Sequence, residues 1–237
     1  MWNEIPQQRN QPEPPAERTL PWTVRDTWIG VGLLLLVIAI DVVAEIYEQK
    51  SYFFQTIGTV AIELSLIIPV ILVLGWRRAG WLSLGFRRFT NNAFGLGCSL
   101  MLVAYAVAIV NNIILLIFHI QTQGTDLIHT FGTLKSPLGL IVATVLVAPF
   151  VEEMFFRGFL FQGFRQRYNW NKAAILSSVI FALFHLQLVS LIPTFAIGYV
   201  LSYVYHKSNS IWPGIILHFL VNSFGICVTF AASRLVH

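Results

Sequence analysis

Seven long apolar runs, separated by short polar stretches, leave this chain few ways to fold. They lie at about Trp28–Tyr47, Thr56–Leu74, Ala93–Ile120, Pro137–Gln162, Ala173–Val189, Leu191–Tyr205 and Ile211–Ala232. Most approach or exceed the ~20 residues that an α-helix needs to cross a bilayer. None alternates with the period of two expected of an outer-membrane strand. Inside a bilayer no water meets the backbone amides, so each run must close its own hydrogen bonds as a helix. The expectation is an all-α, polytopic transmembrane helical bundle of about seven spans. The sixth run, short and opening at Leu191-Ile192-Pro193, is its weakest member. Composition agrees: 11% of residues are charged and 56% hydrophobic, where a soluble domain carries about 25% charged.

The polar stretches divide the chain. Residues 1–27 are Pro-rich and read as a disordered tail, with Trp22 and Trp28 suited to the membrane interface. That tail lacks the basic-then-apolar layout of a cleavable signal peptide, so the first run is expected to be retained. Residues 28–134 would be N-terminal transmembrane helices, and 135–232 a motif-bearing core. With the N-terminus inside, the inner segments hold Arg9, Arg18, Arg25, Arg77, Arg78, Arg87, Arg88, Arg165, Arg167, Lys172 and Lys207. The outer ones hold only Lys50, Lys135 and Arg234. This bias predicts a cytoplasmic N-terminus. The net charge of +4 is therefore topology, not a nucleic-acid surface. The loop Gly75–Asn92, with Trp81-Leu82-Ser83-Leu84-Gly85-Phe86-Arg87-Arg88, either lies along the membrane surface or simply enforces topology. Cys98 and Cys227 fall inside apolar runs and read as small buried residues.

Within the fourth run, Pro149-Phe150-Val151-Glu152-Glu153-Met154-Phe155-Phe156-Arg157-Gly158 sets two carboxylates and a guanidinium in an otherwise apolar stretch. Buried ions cost several kcal/mol unless partnered. Glu153 and Arg157 stand four apart on one face and can pair. Glu152 points about 100° away and must face something else. The fifth run carries Phe181-Ala182-Leu183-Phe184-His185, and the seventh His218-Phe219-Leu220-Val221-Asn222, whose His and Asn share a face. At 1.5 Å per residue, Glu153, His185 and His218 lie roughly 18, 20 and 10 Å from the cytoplasmic side. They can meet near mid-membrane.

A carboxylate and an imidazole around one water can deprotonate it for attack on a carbonyl. A second His and a carboxamide can donate to the oxyanion that forms. Pro149 removes a backbone donor and can kink the helix to open a water-holding pocket. Taken singly, each residue has a plainer role: an interhelical hydrogen bond for a His, a structural ion pair for Glu153–Arg157, packing for Phe181 and Phe184. Among other polar residues in or near the apolar runs, which include Asn111, Asn112 and His119, Asp41 and Glu45 lie near the outer end of the first run and can reach water, and Glu63, mid-run, reads as the partner of a buried cation. His129 and His237 read as loop and terminal residues.

Glu152-Glu153-x-x-x-Arg157, Phe181-x-x-x-His185 and His218-x-x-x-Asn222 resemble the three motifs of the CPBP intramembrane proteases. That family takes in type II CAAX prenyl endopeptidases and bacterial abortive-infection or bacteriocin-immunity relatives. The resemblance covers about residues 135–230, with a weaker likeness at Leu84-Gly85-Phe86-Arg87. It implies an intramembrane endopeptidase of the cell membrane, acting on a membrane-associated peptide or protein, which could be lipidated and carry a CAAX-type tail. It also implies roles: Glu152 as general base assisted by His185, Glu153 orienting the site and held by Arg157, His218 and Asn222 stabilising the oxyanion, Phe181 supporting. There is no H-E-x-x-H and no zinc spacing, so no cofactor and a metal-free glutamate mechanism are expected, with a divalent metal such as zinc left open. Two other functions compete. One is a non-catalytic immunity or scaffold protein, against which the intact motifs argue. The other is a proton-coupled transporter, against which the absence of inverted repeats argues.

Overall fold

The structure, a computed structural model, describes residues 20–47, 58, 60, 61, 63–122, 124, 125, 127, 128, 131 and 137–236. The tail up to residue 19, Lys50, His129, Lys135 and His237 lie outside the described residues. Every regular element among the described residues is helical, as the apolar runs require. Helix α1 spans Val24–Tyr47, α2 Ile67–Trp76 as part of the apolar stretch Glu63–Trp76, α3 Asn91–Ile117 and α4 Leu138–Arg165. Then come α5 Trp170–Phe184, α6 Leu191–Ser208 and α7 Trp212–Val236. Five of these are long and apolar enough to cross a membrane; α2 and α5 are shorter.

The first helix begins inside the stretch that the sequence reads as tail. Thr23 and Asp26 form a reciprocal cap: the Thr23 N–H and hydroxyl donate to Asp26 Oδ2 at 2.7 and 2.8 Å, and Asp26 N–H donates to Thr23 Oγ1 at 3.3 Å. This arrangement satisfies otherwise orphaned donors and starts a helix at Val24. Arg77, just past α2, then donates to both Asp26 oxygens at 2.9 and 2.7 Å, a bidentate clamp between α1 and α2. Trp22 is not interfacial but fully buried, its ring 5.5 Å from that of Phe159. Trp28 stays half-exposed beside Phe164.

Helix α4 is central: every residue from Val151 to Phe161 is buried, although Leu138, Leu146 and Phe150 in its first half are exposed. It is not a uniform α-helix. Val142–Val147 and Glu153–Phe161 are π-helical, separated by an α-helical turn at Ala148–Glu152. All nine residues of the second π stretch are buried. Phe155, Phe156, Phe159 and Phe161 there join Leu66 and Val70 of α2, Phe181 of α5 and Tyr205 of α6 in the main core.

The sixth run, weakest on sequence, is a full span from Leu188, and the fifth is the short one. The 15 residues of α5 reach only about 22 Å. Leu186 takes a left-handed φ of 52° and Gln187 an extended conformation, so the helix stops at His185. A short 3₁₀ turn, Leu188–Ser190, leads into α6. The loop's Val189 carbonyl accepts Asn111 Nδ2 of α3 at 2.9 Å, which satisfies a group that the helix end leaves open.

One end of the bundle gathers the start of α1, the ends of α2, α4 and α6, and the turn Trp81–Leu84. Gln162 Nε2 donates to Ser83 O at 3.0 Å, Tyr205 hydroxyl to Leu84 O at 3.1 Å, and Ser210 Oγ to Arg87 O at 2.5 Å. Gly85, with φ of 99°, sits against the Tyr205 ring where no Cβ would fit. The basic segments of the inner set that are described therefore share one end. Leu84 is buried while Trp81 and Leu82 remain exposed. Cys98 and Cys227, read as buried, are free and exposed on the outer faces of α3 and α7, because the apolar surface of a membrane helix faces lipid as readily as core.

Candidate active site

The middle of α4 supplies both carboxylates. Glu153 and Arg157 are fully buried, and Glu152 and His218 nearly so. Arg157 Nη1 donates to Glu153 Oε1 at 2.6 Å, the pairing that the spacing predicts. Its Nη2 donates to the Gly198 carbonyl of α6 at 3.0 Å, and its guanidinium carbon lies 4.4 Å from the Phe181 ring centroid. The cation thus has a carboxylate, a carbonyl and a π-face around it, as a desolvated guanidinium requires.

His218, near the start of α7, lies between the two glutamates. Its Nδ1 is 3.3 Å from Glu153 Oε1 and its Nε2 is 3.7 Å from Glu152 Oε2. Glu152, which had to face something other than Arg157, faces this ring. Its Oε2 is buried without a hydrogen-bond partner, as is Oε2 of Glu153. Close approach of α7 depends on Gly214: a Cβ there would come within 2.5 Å of Glu153 Oε2.

His185 arrives from the end of α5. Its Nδ1 lies 2.8 Å from the Phe181 carbonyl. A carbonyl only accepts, so Nδ1 carries the proton of this contact, which leaves Nε2 as the nitrogen that can reach another group. Phe181 stands between the imidazoles, its centroid 4.7 Å from that of His185 and 5.9 Å from that of His218.

Asn222 lies one turn beyond His218, and its Nδ2 donates to the Thr144 carbonyl at 2.8 Å. That acceptor follows from Pro149. At the end of the first π stretch Ala148 N–H bonds to Ala143 O, five residues back. The next bond in that series would run from residue 149 to Thr144 O, but proline has no N–H. The freed carbonyl binds Asn222 instead. Pro149 thus takes part in this change of register.

Phe181, His185, His218, Asn222 and Thr144 line a cavity of about 300 Å³ between α3, α4, α5, α6 and α7, together with Val189, Ser190 and Thr194. The loop that ends α5 is therefore irregular backbone beside a cavity, the setting in which a membrane interior tolerates it. Glu63, read as the partner of a buried cation, forms no ion pair with a cation among the described residues. Among the described residues no three His, Cys, Asp or Glu side chains are grouped so as to hold a metal ion. The sequence missed the supporting groups, Gly198 O, Thr144 O and Gly214. Backbone acceptors leave no mark on a sequence, and a glycine needed for close approach looks like any other.

Fold and site define a class: a polytopic helical membrane protein with a glutamate–histidine cluster buried inside its bundle. Residues 134–224 match the family model described as Type II CAAX prenyl endopeptidase Rce1-like. The matched segment contains all three motifs on which the resemblance rests. The chain is 34% identical over 88 residues to "Putative membrane peptidase YdiL" of Bacillus subtilis (strain 168), covering 37% of this chain and 36% of the relative. It is 33% identical over 81 residues to "UPF0177 protein YxdF" of Lactococcus lactis subsp. lactis (strain IL1403), covering 34% and 44%. The match spans less than half the length of either curated relative. No solved structure matches the chain.

Proposed function

We propose that this chain is an intramembrane endopeptidase that hydrolyses a peptide bond of a membrane-associated substrate with a water activated by Glu152. One observation carries the reading: Glu152 Oε2 is buried, faces His218 Nε2 at 3.7 Å and has no hydrogen-bond partner. A buried carboxyl oxygen beside an imidazole, with no protein donor on it, is placed to take a proton from a bound water. Water bound there would give its proton to Glu152 as its oxygen attacks the scissile carbonyl, and Glu152 would return that proton to the amide nitrogen as the intermediate collapses and the C–N bond breaks. The Nε2 of His185 would hold the same water. His218 and the free N–H of the Asn222 carboxamide would donate to the oxyanion, and Arg157, by fixing Glu153, keeps His218 aimed. The mechanism we favour needs no metal; addition and removal of divalent ions should leave turnover unchanged.

The family match supports a peptidase, and a CAAX-type, lipidated C-terminal tail is the substrate we propose to try first. The bilayer is the partner, with no role for nucleic acid, and the shared basic end supports a cytoplasmic N-terminus in a bacterial cell membrane. The test is Glu152→Gln, which keeps shape and most hydrogen-bonding capacity but cannot accept the proton. Purified in detergent and offered a peptide library, wild type should cut and the variant should not, with both equally folded. A variant that cuts at the wild-type rate removes Glu152 from the mechanism. A wild type that cuts nothing while Glu152→Gln alters a pH-coupled flux would replace peptidase with transporter.

A further inference from the structure

The cavity beside the glutamate–histidine cluster is not centred on it. His218 stands at one end of the lining, with Glu152 Oε2 3.7 Å from its Nε2. From there the lining runs in one direction along each helix. On α7 it continues through Asn222 to Thr229, about 16 Å beyond His218 at 1.5 Å per residue. On α4 it touches Thr144, about 12 Å from Glu152 towards the start of that helix. On α6 the Gly198 carbonyl marks the level of Arg157. The cavity meets that chain at Thr194 and Ser190, about 6 and 12 Å further towards its start. On α3, Gly97 packs against Leu217, beside His218, and the lining is found only later in the helix, out to Asn112. Helix α7 starts at the basic end, where Ile211 N–H donates to Gly85 O at 2.9 Å, and α4 and α6 finish there. Every one of these extents therefore points away from the basic end. The opposite direction is filled. Phe155, Phe156, Phe159, Phe161 and Phe164 are fully buried along α4 between the cluster and Arg165. The turn Trp81–Leu84 lies directly on that helix, since a Cβ at Gly158 would stand 2.9 Å from Leu84 O.

We propose that the site is reached along this cavity, from the end of the bundle opposite its basic segments. With the cytoplasmic N-terminus proposed above, that end is extracytoplasmic. The substrate class is then a peptide segment presented at the outer face of the membrane. The walls suit such a guest: the Ser190 and Thr194 hydroxyls and the Asn112 carboxamide stand among Pro193, Ile197 and Val221. Extended backbone entering a membrane interior needs hydrogen-bonding groups of this kind, because an unpaired amide there is costly. Any tail offered to the site, a CAAX-type one included, has to arrive from that end. The identity of the guest rests on the peptidase reading; the route does not, and its test needs no cleavage.

The thiolate, not the thiol, reacts with a methanethiosulfonate, so labelling by the impermeant trimethylammonium-ethyl reagent reads access from water. Single cysteines are placed at Thr194, Ser83 and Leu102 in a background with Cys98 and Cys227 changed to serine. Ser83 marks the basic end. Leu102, 72% exposed on α3 and outside the cavity, reports a thiol facing lipid. Each protein is treated in intact cells and in inverted membrane vesicles. Thr194→Cys should be labelled from the side on which Ser83→Cys is not, and Leu102→Cys from neither. Ser190→Cys, a one-atom change, should repeat the Thr194→Cys pattern and stands in for it if that variant folds poorly. Labelling of the cavity cysteine from the Ser83 side, from both sides or from neither overturns the route, as does equally fast labelling of Leu102→Cys. Where a cleaved peptide is in hand, the labelled Thr194→Cys protein should lose its cleavage. The expected labelling in a protein that cuts no peptide keeps the route and sinks the peptidase.

Discussion

Removal of Arg157 tests the architecture of the site most directly. In Arg157→Ala, Glu153 loses a charge-assisted hydrogen bond of 2.6 Å, and the Gly198 carbonyl loses its 3.0 Å donor from Nη2. The Phe181 ring loses the cation 4.4 Å from its centre. Both members of the ion pair have side chains of 0% exposure, so no water takes the place of the guanidinium. Breaking one side of a buried pair costs on the order of 3–5 kcal/mol, most of it the charge left behind. At about 2–4 °C per kcal/mol for a chain of this length, the melting temperature should fall by roughly 6–20 °C. Thermal unfolding of the detergent-purified protein, followed by tryptophan fluorescence, reads this. Arg157→Lys should fall between the two, since a single ammonium cannot reproduce the fork that reaches Glu153 and Gly198 together. A melting temperature for Arg157→Ala within about 2 °C of wild type, equivalent to ~1 kcal/mol or less, would refute the claim that this pair holds the site.

Further outcomes follow from the same geometry. Asn222→Ala, which removes one proposed oxyanion donor and the partner of Thr144 O, should lower kcat by about 10²–10³ and leave measurable cleavage. Gly214→Ala should destabilise by about 1–3 kcal/mol, because its Cβ would stand 2.5 Å from Glu153 Oε2; an unchanged melting temperature would mean that α7 can move aside. A single cysteine at Ser83, in a background with Cys98 and Cys227 changed to serine, should resist an impermeant thiol reagent added to intact cells. Efficient labelling would reverse the proposed orientation.

The parts of this molecule legible in its sequence are those set by local periodicity. Where they are described, the apolar runs are helical because an uncharged segment in a bilayer has no other way to satisfy its backbone. Glu153 meets Arg157 because four residues make one turn. Meeting across helices was legible only as matched depth, which brings Glu152 and His218 to one level without saying which nitrogen faces which oxygen. What stayed hidden depends on tertiary contact. Asp26 looks like part of a tail until Arg77 arrives from 51 residues away. The fifth run is apolar through Val189, yet its helix stops at His185, because Leu186 turns left-handed.

Helix α4 joins these two kinds of information. Its sequence gives Pro149 and, three residues on, the first glutamate, and a straight α-helix would spend the proline on a kink. Two π stretches instead shift the register on either side of a single α-helical turn, Ala148–Glu152. Departures of this kind concentrate at functional sites, where they aim groups that a regular helix would not. Here the first shift frees the Thr144 carbonyl to hold Asn222. The second begins at Glu153, so the two glutamates straddle a boundary between registers and reach different nitrogens of one imidazole. The helix that carries the base therefore also fixes the carboxamide across from it, through its own backbone. No side chain on α4 could be exchanged for that carbonyl, so the proline that exposes it is as much a part of the site as the residues that line it.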